Sequence, residues 1–259
     1  MDTQPKSVVF IAGTFFSNSC WEEWKLYFES EGYICTAPPW PHKEASSEEL
    51  RNGPSNTAIA SIRLTALTRF YGDIVKRFPV KPILIGHSLG GLIVQLLIQQ
   101  GLGTAGVAVH SFPPFGMLSF EFSFLKKWWH AIGFFSSVEN AYLISFVKWK
   151  HAVSNGMTCE QQKQSYYDYA IPESKLVVRD AFTRISQIDF EKQHVPLLFT
   201  SGGHDRLIPA NVNYRNFEKY KSGNSITDYE AFKDSNHLVF GPRECMEEAD
   251  FIIHWLERL

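Results

Sequence analysis

Residues Gly86-His87-Ser88-Leu89-Gly90-Gly91 lie between a run of branched apolar residues and a helix-patterned apolar stretch. No other segment constrains the fold as strongly. Pro82-Ile83-Leu84-Ile85 reads as a strand buried on both faces, the kind found in parallel sheets. Leu89, Leu92, Ile93, Leu96 and Leu97 repeat at the i, i+3, i+4, i+7, i+8 spacing of a helix packed on a sheet. A strand that turns at once into a helix brings backbone against backbone, so Gly86 and Gly90 are needed where a Cβ would collide. Ser88 then stands at the apex with its hydroxyl outward, at the positive end of a helix.

Two later segments complete a catalytic pattern. The apolar run Pro196-Leu197-Leu198-Phe199-Thr200 leads into Ser201-Gly202-Gly203-His204-Asp205, and strand-like Tyr229-Glu230-Ala231-Phe232 leads into Ser235-Asn236-His237-Leu238. A serine hydroxyl needs a base within hydrogen-bond reach before it can attack a carbonyl. His237 is suited to that work, and Asp205 to holding the imidazole's tautomer. The order Ser88, Asp205, His237 resembles that of the α/β-hydrolase family, and the resemblance runs from Val8 to Leu259.

That resemblance implies an α/β fold: a mostly parallel sheet of about six strands, helices on both faces and an inserted helical cap. It implies Ser88 as nucleophile, Asp205 as acid and His237 as base. The family's other acid position follows the strand ending near His110, where Ser111-Phe112-Pro113-Pro114 offers no carboxylate, and this favours Asp205. One oxyanion donor is expected at the backbone N–H of Leu89, helped by the helix dipole. The second is expected after the first strand, where the family usually shows His-Gly-x and this chain has Ala12-Gly13-Thr14. Thr14 is the assigned donor, with Phe15 as the one-residue-off alternative.

Strands and helices alternate along the chain, which argues for a parallel sheet covered on both sides. Val8–Ile11 is expected as a central strand and Trp21–Glu31 as the first helix. Tyr33–Ala37 is expected as a strand, 56–78 as one long amphipathic helix, and Gly106–His110 as the strand after the Ser88 helix. Only about six residues precede the first strand, so the antiparallel pair that opens many family members is expected to be missing. From Phe112 to about Phe190 the alternation breaks. Twelve aromatic residues fall within the 38 positions from Phe112 to Trp149, about twice the chain's aromatic density. Thr158 with Gln161 reads as a capping box, and Ser174 as the start of a further helix. The core is therefore assigned to 1–111 and 191–259 and the cap to 112–190. Phe15, Phe112, Phe115, Trp128 and Trp129 are assigned to an apolar substrate pocket, since a lid must bury large area with few residues.

Composition narrows the partners. With 25 basic and 27 acidic residues the chain has no electrostatic footprint for nucleic acid. No uncharged apolar stretch is long enough to span a bilayer, so stable membrane insertion is not expected. Cys20, Cys35, Cys159 and Cys245 show no metal-type spacing and read as unpaired thiols of a cytoplasmic protein. No H-E-x-x-H or clustered ligand set points to a metal, and no cofactor is expected. His87 and His204 flank catalytic positions and are expected to point away from the pocket; His42 and His110 are candidates to line it. Serine at 88 excludes the branches of the fold that use an aspartate nucleophile. The expectation is a serine hydrolase for a small, apolar carboxylic ester. A C–C bond hydrolase, a lactonase, an acyltransferase and a non-catalytic ligand sensor are the alternatives.

Overall fold

The computed structural model describes residues 6–53, 57–117, 128, 133, 137–220, 225–240 and 246–259. Six strands form one sheet: β1 (Ser7–Ile11), β2 (Ile34–Thr36), β3 (Ile83–His87), β4 (Ala105–Val109), β5 (Leu197–Gly202) and β6 (Thr227–Phe232). Their order is β2-β1-β3-β4-β5-β6, and every pairing is parallel. The first described strand is β1, and no antiparallel strand is part of the described sheet.

The central strands are apolar on both faces because helices cover both. β3 and β4 are buried at every position, as is nearly all of the helix Leu89–Gln99 that leaves β3. A Cβ on Gly86 would strike the carbonyl of Gly90, and one on Gly90 would strike the carbonyl of Ile11, so these two glycines make the turn sterically feasible. Beneath the Leu89–Gln99 helix, the buried Gln95 side chain receives hydrogen bonds from Asn216 (3.1 Å) and Tyr220 (3.1 Å) and donates one to Ser111 (2.9 Å). A polar side chain in such a core is tolerable only when satisfied in this way.

The single long helix expected over 56–78 is in fact broken. Thr57–Ala60 and Leu64–Val75 are separate helices, and Arg63 between them is extended (φ −120°, ψ 150°). Asp180, far along the chain, supplies the reason. Its carboxylate accepts from the Leu64 backbone N–H (3.1 Å) and pairs with the Arg63 guanidinium through two contacts of 2.8 and 2.6 Å. Ser174 donates its hydroxyl to the carbonyls of Ala60 (2.9 Å) and Ile62 (2.7 Å). A distant carboxylate thus caps a new helix start where local periodicity favoured continuation.

Between β4 and β5 the described chain contributes no strand to the sheet. It contains the helices Phe146–Lys148, Cys159–Tyr169 and Lys175–Ala181 and a π-helical turn at Trp149–Val153. The Thr158–Gln161 capping box is present, and Ser174 caps the helix that follows it. Extended residues of this connection reach the loop after β1. Phe16 bridges Ala170, and within the connection Tyr142 bridges Glu173, both antiparallel. Cys20, Cys35 and Cys159 carry no disulfide; Cys245 lies outside the described residues. No helix among the described residues is long and apolar enough to cross a membrane.

Candidate active site

Parallel strands deliver their C-terminal ends to one edge of the sheet, and the loops that follow five of them converge there. Ser88 follows β3 at φ 55° and ψ −119°, a conformation that side chains rarely adopt. It is wholly buried, and its Oγ has no hydrogen-bond partner among the described residues. Asp205 follows β5. Its Oδ1 accepts the backbone N–H groups of Leu207 and Ile208, each at 2.8 Å, and its Oδ2 lies 2.7 Å from His237 Nδ1. Burial pushes the Asp205 carboxyl up, but the neighbouring His237 and His110 outweigh it and hold the group well below the usual carboxylate range. An ionised carboxylate only accepts, so Nδ1 of His237 carries the proton and Nε2 is the basic nitrogen. That Nε2 is buried and has no partner among the described residues.

Thr14 Oγ1 joins Ser88 Oγ and His237 Nε2 as a buried polar atom without a partner. Such groups are usually paired in folded proteins, and these three lie on the loops that follow β1, β3 and β6. Gly13 lies directly against the turn: a Cβ there would stand 2.7 Å from Ser88 Cβ. The Phe112 backbone N–H donates to Ser88 O at 2.9 Å.

The loop after β1 separates the two donor candidates. The N–H of Phe15 is taken by Glu173 Oε2 (3.1 Å), while Thr14 N–H has no acceptor among the described residues. Leu89, first in its helix, has no intrahelical acceptor for its N–H. Glu173 and Lys43, both buried, form an ion pair of 2.8 Å, and the Lys43 ammonium stands 4.0 Å from the centre of the Trp40 ring. Burial lowers the pKa of Lys43 while Glu173 opposes the shift. Sequence reading missed this pair because 130 residues separate its members.

Of the assigned pocket residues, Phe15, Phe112 and Trp128 come together. Trp128 stacks on Phe15 (6.3 Å between ring centres) and meets Phe112 edge-on (5.1 Å). Phe115 does not join them: it is 38 % exposed and its N–H bonds to Ser186 Oγ (3.0 Å). Trp129 lies outside the described residues. Tyr142 joins the cluster although it was not singled out, meeting Phe15 at 5.9 Å, while Phe16 lies 6.3 Å from the His237 ring. A cavity of about 750 Å³ lined by Ile34, Val80, Ile83 and Leu256 opens instead at the N-terminal ends of the strands, away from Ser88.

The other histidines divide. His42 and His204 are exposed. His87 is buried and donates from Nε2 to the backbone carbonyl of His237 at 2.9 Å, bracing that loop. Burial, with His237 and His110 nearby, pushes its pKa well below the ordinary value, so the ring is neutral. His110 is buried too, with Nδ1 3.2 Å from Asp205 Oδ2 and Nε2 3.4 Å from Glu248 Oε2. Donor atoms of His110, Asp205 and His237 lie within 4.8 Å of one another and could in principle hold a metal ion. The short Nδ1–Oδ2 contact already engages two of the atoms such an ion would need.

A family model described as "Alpha/beta hydrolase family" matches residues 8–248. Curated proteins give no match by sequence. Among solved structures, the methylesterase MES16 from Arabidopsis superposes with a TM-score of 0.70 at 14 % identity, covering 98 % of this chain and 100 % of its own. The monoacylglycerol lipase of Paleococcus ferrophilus gives 0.71 at 19 % identity, with 98 % and 95 % covered. A variant of tomato Methylketone Synthase I complexed with beta-ketoheptanoate gives 0.71 at 13 % identity, with 98 % of each chain covered. At such identities the likeness speaks for the fold, and the three names span different chemistries. The strand order, the serine turn and a family match over most of its length agree that this chain belongs to the alpha/beta hydrolase family.

Proposed function

We propose that the protein is a serine hydrolase that cleaves a small, apolar carboxylic ester through an acyl-enzyme on Ser88. The observation that carries this reading is the pairing of His237 Nδ1 with Asp205 Oδ2 at 2.7 Å, with His237 Nε2 and Ser88 Oγ both buried and unpaired. In the proposed cycle Nε2 takes the Ser88 proton as Oγ attacks the ester carbonyl, then returns it to the departing alkoxide. Asp205 holds the tautomer and balances the imidazolium. Water, deprotonated by the same nitrogen, releases the acid and restores the serine.

The N–H groups of Leu89 and Thr14 are the proposed oxyanion donors. The engagement of Phe15 N–H by Glu173 supports Thr14 over its neighbour. The connection over 112–190 is read as a cap, and the cluster of Phe15, Phe112 and Trp128 as the wall against which an apolar acyl or aryl group rests.

A fluorophosphonate should label the protein at Ser88, and a short aryl ester should be turned over. Ser88→Ala should abolish labelling and lower kcat by about 10⁶, the scale seen when a triad serine is removed. A Ser88→Ala protein that retains most of the esterase activity would remove Ser88 from the mechanism.

A further inference from the structure

We propose that His110 is a standing imidazolium, clamped between Glu248 and Asp205, that serves as a positioning residue for the Asp205–His237 pair. The role rests on the triad reading above; the charge assignment does not.

His110 follows β4 in a left-handed conformation (φ 44°) and its ring is wholly buried. Room for the ring depends on Gly202 at the end of β5, where a Cβ would lie 2.7 Å from His110 Cε1. Each ring nitrogen faces a different carboxylate oxygen: Nδ1 is 3.2 Å from Asp205 and Nε2 is 3.4 Å from Glu248. Neither contact has the alignment of a hydrogen bond, so they act as ion pairs. A neutral imidazole carries one N–H, and either tautomer would then turn a lone pair toward a carboxylate oxygen. Only the doubly protonated ring sets positive charge, and no lone pair, against both.

Charge balance leads to the same assignment. Glu248, on the C-terminal helix Met246–Glu257, is 3 % exposed, and no lysine or arginine among the described residues pairs with it. A buried carboxylate needs a cation or must give up its charge. The titratable groups facing His110 are Asp205 after β5, Glu248 on that helix, His87 at the end of β3 (ring centres 6.3 Å apart) and His237 after β6 (6.2 Å). His87 is neutral, so two carboxylates and one imidazolium leave a single negative charge for His237 to answer when it takes a proton. Burial by itself would push His110 down, but the flanking carboxylates more than reverse this and raise it to about 9.

Two consequences follow for the pair. Asp205 is fixed from four directions, by Leu207, Ile208, His237 and His110, so its carboxylate cannot rotate away from His237. A cation on the far side of Asp205 also opposes the arrival of a second positive charge on His237.

Imidazole ¹⁵N spectra of the whole protein, labelled at histidine, provide the direct test. Both nitrogens of His110 should read as protonated from pH 6 to 8, with release near pH 9, and Glu248→Gln should bring that release to lower pH. A His110 with a single N–H at pH 7 would overturn the assignment. The rate of inactivation by a fluorophosphonate, followed against pH, tests the role. His110→Asn should move its acid limb up by about one pH unit; a folded His110→Asn protein with an unmoved limb overturns the positioning role. Should that variant not fold, the spectra of the parent and of Glu248→Gln still decide the charge state. Failure of the triad reading looks different, since Ser88 would then take no label at any pH.

Discussion

Ser88 sits at φ 55° and ψ −119° with a buried hydroxyl that no described residue engages. Both features oppose folding: such backbone conformations cost roughly 1–3 kcal/mol for residues other than glycine, and an unsatisfied buried hydroxyl adds to that. Ser88→Gly should therefore raise stability by about 1 kcal/mol after allowing for the freer unfolded chain, while removing labelling and turnover. Urea unfolding of the two proteins checks this, and a lower midpoint for Ser88→Gly would mean that the turn carries no strain. The turn was legible from sequence because its constraints are local: a strand, a helix and two glycines with no room for a Cβ all lie within a few residues. That Asp205 and His237 would pair was legible by chain order. His110 was visible only as a strand-end histidine, and Glu248 not at all, because their meaning comes from facing each other across 138 residues.

The loop after β1 and the connection between β4 and β5 are joined as one unit at the element scale. Phe15 O accepts from Ile171 N (2.9 Å), Ser17 N donates to Tyr169 O (2.9 Å), and Phe15 N donates to Glu173. Phe15 itself is held at φ 69°, so these bonds fix a strained loop whose neighbour Thr14 is the proposed oxyanion donor. Glu173→Gln should lower kcat on an aryl ester by about 10- to 100-fold with little change in KM, somewhat less than loss of a donor outright. It should also destabilise the protein, because it leaves the Lys43 ammonium buried without an anion. Adding Lys43→Met should restore much of the stability but not kcat, and that split separates positioning from folding. If kcat in a folded Glu173→Gln enzyme matches the parent, the clamp has no part in the reaction. Element boundaries were less legible than element types for the same reason as the break at Arg63. Capping boxes such as Thr158–Gln161 are written locally, whereas the helix start at Leu64 is written by Asp180.

For the molecule as a whole, the ends of four strands and the C-terminal helix meet on one buried set of charges, so global stability should report on it. His87 and His110 act in opposite directions. The folded state depresses His87, mainly through burial, so its contribution is present above the unfolded histidine value of about 6.5 and is lost as pH falls. The folded state raises His110 to about 9, against burial and through Glu248 and Asp205, so its contribution is complete below about 6.5 and disappears as pH rises through 9. The native state binds more protons than the unfolded chain between those values, and stability must fall across that window. The expected profile is therefore a maximum near pH 6.5 with losses on both sides. Chemical denaturation at intervals from pH 5 to 9 measures it. His110→Asn should flatten the alkaline descent and leave the acid one in place, since His87 is untouched. A parent protein equally stable at pH 7 and pH 9 would mean that His110 binds no extra proton on folding.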